Sequence, residues 1–401
     1  MIKEPVRSIH VGGNHYDTRE MLAHAAEQAR QRNYSDFLIV DADAHHYENE
    51  VWGEIIKYIE DPVIRHYAEA KTEIQARGIG ATGGMLPTML GNQENAGRIT
   101  RHMLRKLEKG DESGRAREVV LVRRAMDSMG IDTTIIFPTP MLFLGIHPQI
   151  ETEVALARAY AHWITKEILP QDDGIKTMLY LPFNDPEACL KMVEEFSHCR
   201  GVVGFMVTSV RYRPVHHNMY VKVYRALEER DMPIAFHAAY SWQDRSMEQL
   251  NRFMTVHAIG FTQFNIIHLT NWVINGIPER FPKLRTLWIE SGLAWIPFLM
   301  QRLDHEFMLR PSEAPLLKKK PSDYMREMFY TTQPMEVTDM RGLQTTFEMM
   351  NAESQLLYAS DYPHWDFDLP STIYDLPFLS EQAKRNILGE NARRFFQLDK
   401  K

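Results

Sequence analysis

Short apolar runs of strand length recur along the chain and alternate with longer segments in which apolar residues are spaced three and four apart. The runs lie at residues 37–40, 134–137, 178–181, 202–207, 233–236, 264–267, 284–289 and 356–359. The intervening segments predict helices at 150–169, 186–199, 220–230 and 295–308. Nearly apolar strands separated by helices are typical of a parallel sheet covered by helices. We therefore predict an α/β fold, a (β/α)8 TIM barrel.

An open, doubly wound sheet is the alternative fold. It is disfavoured because no glycine-rich phosphate loop follows the first predicted strand. Two regions exceed a minimal barrel over 37–398: an N-terminal extension, residues 1–36, with a helix at 18–32, and an insertion at about 46–118. The insertion has a glycine-rich segment at 78–84 that lacks the lysine of a phosphate loop. An insertion this long is typical of a lid or an interface, and the extension suggests a homodimer or a hetero-oligomer.

Composition narrows the classes of partner. The formal net charge of -7 argues against a nucleic-acid-binding surface, and no apolar run approaches the roughly 18 residues of a membrane span. The first residues lack the apolar stretch of a secretory signal, and only two cysteines occur. We expect a cytoplasmic protein that binds a small molecule and neither nucleic acid nor a membrane.

Metal-binding side chain types follow four of the predicted strands. They are Asp43 and His45 after the first run, then His237, His268 and Asp361. If these strands belong to one barrel, their carboxyl ends meet at one rim, where barrel enzymes keep their active sites. Each residue alone has an ordinary explanation, such as a structural histidine or a helix-capping aspartate. As a set, carboxylates and imidazoles at one rim predict a site for a divalent metal.

Other polar residues near the strand ends are candidates for substrate binding or support. Asp41 shares one side of the first strand with Asp43 and His45, and Glu290 would orient a metal ligand or pair with an arginine. The candidate substrate contacts are Arg211, Arg213, His216, His217, His364 and Trp365. The arginines suit a carboxylate, whereas the two adjacent histidines fit a substrate carboxylate, a second metal or a plain polar loop equally well.

The segments around these residues resemble the amidohydrolase-related metal-dependent hydrolases that include aminocarboxymuconate semialdehyde decarboxylase. The resemblance rests on residues 39–45, 233–237, 281–297, 359–364 and 387–395, and it covers about 37–398. It implies a distorted barrel whose divalent metal is bound by the first-strand pair, His237 and Asp361. It also implies that His268 acts as an acid, a base or an oxyanion stabiliser.

The first-strand motif departs from the His-x-His of many members of this family. Asp43 replaces one imidazole, which favours manganese or iron and leaves zinc as a third possibility. Glu48, three residues after His45, resembles a subgroup in which a second metal binds, with His268 as a further ligand. Some relatives of that subgroup resemble dinuclear iron or iron and manganese oxygenases.

The leading hypothesis is a metal-dependent hydrolase or decarboxylase that acts on a small carboxylated substrate, aromatic or unsaturated. The metal would act as a Lewis acid and His268 as the acid or base, and in decarboxylation His268 or Asp361 would protonate the carbon. The alternatives are a dinuclear iron or iron and manganese oxygenase, and an inactive barrel that serves as a structural partner subunit.

Overall fold

The computed structural model describes residues 15–76, 104–105, 108–210, 213–242 and 244–400. Within these ranges, eight parallel strands pair in chain order to form one sheet. The strands are β1 (Val40–His46), β2 (Thr133–Pro138), β3 (Ile175–Tyr180), β4 (Val202–Thr208), β5 (Ile234–His237), β6 (Thr286–Ile289), β7 (Phe329–Thr331) and β8 (Leu356–Leu357). A separate two-residue pairing joins His15–Tyr16 to Leu104–Arg105.

Hydrogen bonds close the sheet between its first and last strands. The amide of Ala42 donates to the carbonyl of Tyr358 at 2.8 Å, and the amide of Asp361 donates to the carbonyl of Asp43 at 2.8 Å. The side chain of Asp41 reinforces this seam because it accepts hydrogen bonds from the amide and the hydroxyl of Ser360, at 2.8 and 2.5 Å. The predicted barrel is therefore confirmed, and the open doubly wound sheet is excluded.

Helices surround the barrel. They are α1 (Thr18–Gln31), α2 (Trp52–Ile55), α3 (Pro62–Ala76), α4 (Arg117–Met129), α5 (Ile150–Trp163), α6 (Pro186–Phe196), α7 (Val221–Glu229), α8 (Phe253–Ile274), α9 (Ile277–Arg280), α10 (Trp295–Leu309), α11 (Pro321–Met325), α12 (Met340–Met350), α13 (Ala352–Gln355), α14 (Ser371–Tyr374), α15 (Glu381–Arg385) and α16 (Asn391–Phe396). The helices predicted from periodicity correspond to α1, α5, α6, α7 and α10. Among the described helices, none has the length and apolarity needed to cross a membrane.

One predicted strand is wrong. Residues 264–267 lie inside α8, and the strand that sequence analysis missed is β7. The 22-residue helix α8 contains no Asp, Glu, Lys or Arg, so its apolar positions show no helical period. Strand β7 has only three residues, which is too short for an alternating pattern to stand out.

The N-terminal extension packs against the barrel of its own chain. Helix α1 buries Leu22 and Ala25 and lies against α4, while Arg32 binds the carboxylate of Asp375 at 2.6 Å. Part of the long insertion forms α2 and α3. The glycine-rich segment 78–84 lies outside the described residues. The two cysteines are free thiols in this structure, and the division into an extension and a barrel domain stays a prediction.

Candidate metal centre

Four side chains converge at the carboxyl end of the barrel. Asp43 and His45 lie on β1, His237 is the last residue of β5, and Asp361 follows β8. The Nε2 atom of His237 lies 3.2 Å from Oδ1 of Asp43. The Nε2 atom of His45 lies 3.3 Å from the same oxygen and 3.4 Å from Oδ1 of Asp361. One ion bound at about 2.0 to 2.2 Å from each donor would hold neighbouring donors at about this separation.

The hydrogen bonds of the two imidazoles fix which nitrogen faces the cluster. Nδ1 of His237 lies 2.9 Å from the carbonyl oxygen of Ala238, and Nδ1 of His45 lies 3.3 Å from that of Pro138. A carbonyl oxygen only accepts, so each Nδ1 carries the proton and each neutral ring turns the lone pair of Nε2 toward a carboxylate. Lone pairs on nitrogen and oxygen repel at this distance, and a cation between them removes the repulsion.

The carboxylates of the cluster have few protein donors. Within the described residues, Oδ2 of Asp361 and Oδ2 of Asp43 accept no hydrogen bond, and the nearest nitrogen to Oδ1 of Asp361 is Nδ1 of His364, at 2.6 Å. Both side chains are at most 1% exposed. A buried carboxylate without donors is costly unless a positive charge compensates it. The donor set therefore fits a divalent metal bound by Asp43, His45, His237 and Asp361.

The electrostatics of the cluster agree with this interpretation. Burial, and then the charges of Glu290, Asp366 and Asp43, raise the pKa of Asp361 well above its usual range. Burial lowers the pKa of His45, which keeps the ring neutral, the form in which imidazole binds metals. The negative charges of these neighbouring carboxylates therefore repel one another unless a cation binds between them.

Two further side chains complete the surroundings. Nδ1 of His364 lies 2.6 Å from Oδ1 of Asp361, and its ring stacks on that of His45 at 4.3 Å between centroids. Oε2 of Glu290 lies 3.5 Å from Nδ1 of His237. Candidate ligand atoms of Asp43, His45, His237 and Glu290 all lie within 4.8 Å of one another. His364 and Glu290 are thus closer to the cluster than their sequence positions alone indicated.

Comparison with known proteins fits this arrangement. Residues 104–398, more than half of the chain, match the family model described as amidohydrolase. The chain belongs to the amidohydrolase family. It is 22% identical over 286 residues to a gamma-resorcylate decarboxylase of Rhizobium radiobacter, covering 69% of this chain and 86% of that protein. It is 23% identical over 163 residues to a 2-amino-3-carboxymuconate-6-semialdehyde decarboxylase of Dictyostelium discoideum, covering 40% of this chain and 44% of the relative.

A solved structure with the same fold carries a metal. It is a dihydroxybenzoic acid decarboxylase from Polaromonas sp. JS666 with bound manganese and the inhibitor 2-nitroresorcinol. This amidohydrolase aligns with it at a TM-score of 0.63 and 17% identity, over 90% of this chain and 98% of that chain. The alignment supports the barrel fold.

His268 does not occupy the end of a barrel strand in this amidohydrolase. It lies on α8, and its Nε2 is 2.6 Å from the carbonyl oxygen of Ser209, just after β4. The prediction that placed it after a strand is therefore wrong, and the residue that follows β6 is Glu290. Its predicted roles in catalysis and in binding a second metal stay predictions.

Glu48 faces backbone amides. Its oxygens accept hydrogen bonds from the amides of Thr139 and Met141, at 2.9 and 2.6 Å, at the start of the turn of helix after β2. Two groups of potential metal ligands occur in the described residues, one of Asp43, His45, His237 and Glu290 and one of His45, Asp361 and His364, and Glu48 belongs to neither. The structure thus gives the carboxylate of Glu48 a different partner, and its predicted role as a ligand of a second metal remains untested.

The predicted substrate contacts are spread over several loops. Arg213 and His217 are exposed, His216 is partly buried, and Arg211 lies outside the described residues. Trp365, just after His364, is partly buried and lies 5.7 Å from the ring of His257 on α8. Of this set, His364 is the residue that the structure brings into contact with the metal cluster.

Proposed function

We propose that this amidohydrolase is a metal-dependent decarboxylase of a small aromatic carboxylate. The observation that carries the proposal is the convergence of two imidazole lone pairs and two donor-poor carboxylates on one buried point. The names of the relatives favour decarboxylation over hydrolysis, because both curated relatives described above are decarboxylases.

The bound metal would supply Lewis acidity toward the oxygens of the substrate. Asp43, His45, His237 and Asp361 would hold it at the mouth of the barrel. Asp361 is also the proton donor that we propose, because Nδ1 of His364 lies 2.6 Å from its Oδ1 and can pass a proton to it. As the bond from the ring carbon to the carboxylate breaks, its electron pair stays on the carbon, carbon dioxide leaves, and the proton of Asp361 replaces it.

A network of aromatic rings supports an aromatic substrate. The ring of Tyr240, after β5, contacts four others whose centroids lie 5.6 to 6.4 Å away: Phe143, Trp242, Phe253 and Phe261. His257 links this network to Trp365, which follows β8. These residues come from segments that follow β2, β5 and β8, strands whose carboxyl ends meet at the rim of the metal cluster, so a planar substrate ring would find flat apolar partners there. We propose Trp365, His364 and the loop of Arg213 as its contacts.

His268 is better suited to positioning than to proton transfer. Its ring holds the carbonyl of Ser209, whose amide donates to the carbonyl of His237 at 2.8 Å. The hydroxyl of Ser209 in turn accepts from the amide of Ala239 at 2.9 Å. We propose that His268 fixes the end of β4 and, through it, the backbone that carries His237.

We also propose that the enzyme works in the cytoplasm as an oligomer. The free thiols of Cys189 and Cys199 support a reducing compartment. Support for an oligomer comes from the apolar side chains exposed on two helices, including Ile267 on α8 and Phe298 on α10.

Turnover in isotopically labelled water tests the proposed reaction. Protein reconstituted with manganese would be incubated with 2,6-dihydroxybenzoate or 5-carboxyvanillate in heavy water. Decarboxylation releases carbon dioxide and leaves one deuterium on the ring carbon that carried the carboxylate, without consuming dioxygen. Hydrolysis would instead place ¹⁸O from labelled water in the product. Incorporation of ¹⁸O, a need for dioxygen, or no turnover of either probe and of related aryl carboxylates would contradict the proposal.

A further inference from the structure

Glu290 occupies a constrained position at the rim of the barrel. It follows β6, is 4% exposed, and has a φ of 57°, in the left-handed region that side-chain-bearing residues rarely adopt. Its amide donates to the hydroxyl of Thr331, the last residue of β7, at 3.0 Å. Asp361 has the same backbone feature, with a φ of 59°. Strained backbone of this kind concentrates at functional sites, where it aims a side chain.

The carboxylate of Glu290 lies beside one of the proposed metal ligands. Oε2 is 3.5 Å from Nδ1 of His237. The Nδ1 proton of His237 already points to the carbonyl of Ala238, at 2.9 Å. An orienting hydrogen bond to His237 therefore does not account for the position of Glu290.

We propose that Glu290 is a fifth protein ligand of the metal. This inference rests on the proposed metal-dependent function. With Glu290, the site would contain three carboxylates and two imidazoles. Candidate ligand atoms of Glu290, Asp43, His45 and His237 fall within 4.8 Å of one another, and His45 links them to a second such group, with Asp361 and His364. Three hard oxygen donors favour manganese or iron over zinc, which prefers four-coordinate sites with nitrogen and sulfur donors. Glu290 thus sets the metal preference of the enzyme.

Metal titrations of the metal-free protein test this assignment without an activity assay. The affinities for Mn²⁺ and Zn²⁺ would be measured by calorimetry for the wild type, for Glu290→Gln and for a matched control, Glu153→Gln. Glu153 is also buried, but it is held by Tyr180 and Asn184. We expect Glu290→Gln to weaken Mn²⁺ binding at least about tenfold, to weaken Zn²⁺ binding less, and to alter the electron paramagnetic resonance spectrum of bound Mn²⁺. The control should match the wild type.

The outcomes separate this inference from the proposed function. Wild-type protein that binds no metal would contradict the function itself. Wild-type and Glu290→Gln proteins with the same Mn²⁺ affinity and spectrum would overturn only the role of Glu290. Circular dichroism checks that the variant folds. If it does not, anomalous diffraction from wild-type crystals soaked with Mn²⁺ decides: an oxygen of Glu290 at about 2.2 Å from the ion supports the assignment, and one beyond about 3 Å overturns it.

Discussion

Two groups of buried carboxylates stand in contrast in this barrel. Glu48 and Glu153 each receive hydrogen bonds on both oxygens. Glu48 is held by two backbone amides, and Glu153 accepts from the hydroxyl of Tyr180 at 2.6 Å and the amide of Asn184 at 2.8 Å. Asp361 has no donor at Oδ2 within the described residues, and Oδ1 faces the ring nitrogen Nδ1 of His364 at 2.6 Å. All of these carboxylates are at most 1% exposed, so burial alone does not distinguish them.

The difference lies in what compensates the charge. Where the protein supplies donors, the carboxylate ties loops together and has a structural role. Where the protein supplies few donors to a carboxylate, and where imidazole lone pairs also converge on it, a bound cation compensates the negative charge. This distinction favours a metal site on the Asp43 and Asp361 side of the rim. It also argues against a second metal at Glu48, which the two-metal hypothesis requires.

Removing the charge of Asp43 should have the largest effect on metal binding. Asp43→Asn keeps the size of the side chain but removes the charge that faces both Nε2 atoms. We expect the affinity for Mn²⁺ to fall by at least about 100-fold, because the loss of a ligand exceeds the usual cost of losing a supporting residue. Calorimetry measures it, with Glu153→Gln as the control. An unchanged affinity would remove Asp43 from the site.

Changing Glu48 should instead affect folding stability. In Glu48→Gln, the side-chain amide would face one of the two backbone amides that now donate to the carboxylate. We expect the free energy of unfolding to fall by about 2 to 3 kcal/mol in urea denaturation, with unchanged metal content. Loss of half of the bound metal together with dioxygen-dependent activity would support the dinuclear oxygenase instead.

The smallest predicted effect is a change in the pH dependence of folding stability when Glu153 is replaced. Burial raises the pKa of Glu153 to about 7, although hydrogen bonds from Tyr180 and Asn184 oppose the shift. The folded state therefore keeps the proton of Glu153 at pH values where the unfolded chain has lost it. The contribution of this group to stability is present below about pH 4.5 and is lost as the pH rises to about 7. Glu153→Gln should lack this loss.

Urea denaturation at pH 5 and pH 8 checks the effect. The free energy of unfolding of the wild type should fall between pH 5 and pH 8 by about 1 to 2 kcal/mol more than that of Glu153→Gln. An equal pH dependence in the two proteins would show that Glu153 does not change its charge in this range.

The sequence predicted which polar side chains meet at the rim where these residues directly follow apolar strands. Asp43, His45, His237 and Asp361 were brought together in this way, because the polar residue after a barrel strand must lie at the rim, and their role as metal ligands stays a proposal. His268 was misplaced for the same reason: the apolar run before it belongs to the uncharged helix α8. The partners of Glu48 could not be predicted, since Thr139 and Met141 are about 90 residues away and meet it only in the folded chain.

Metal content per chain tests the central claim most directly. Protein reconstituted with Mn²⁺ and dialysed would be analysed by plasma mass spectrometry, alongside Asp43→Asn. We predict about one manganese per wild-type chain and almost none in the variant. No bound metal in the wild type, or the same content in both proteins, would contradict the account, and two metals per chain would contradict its single centre.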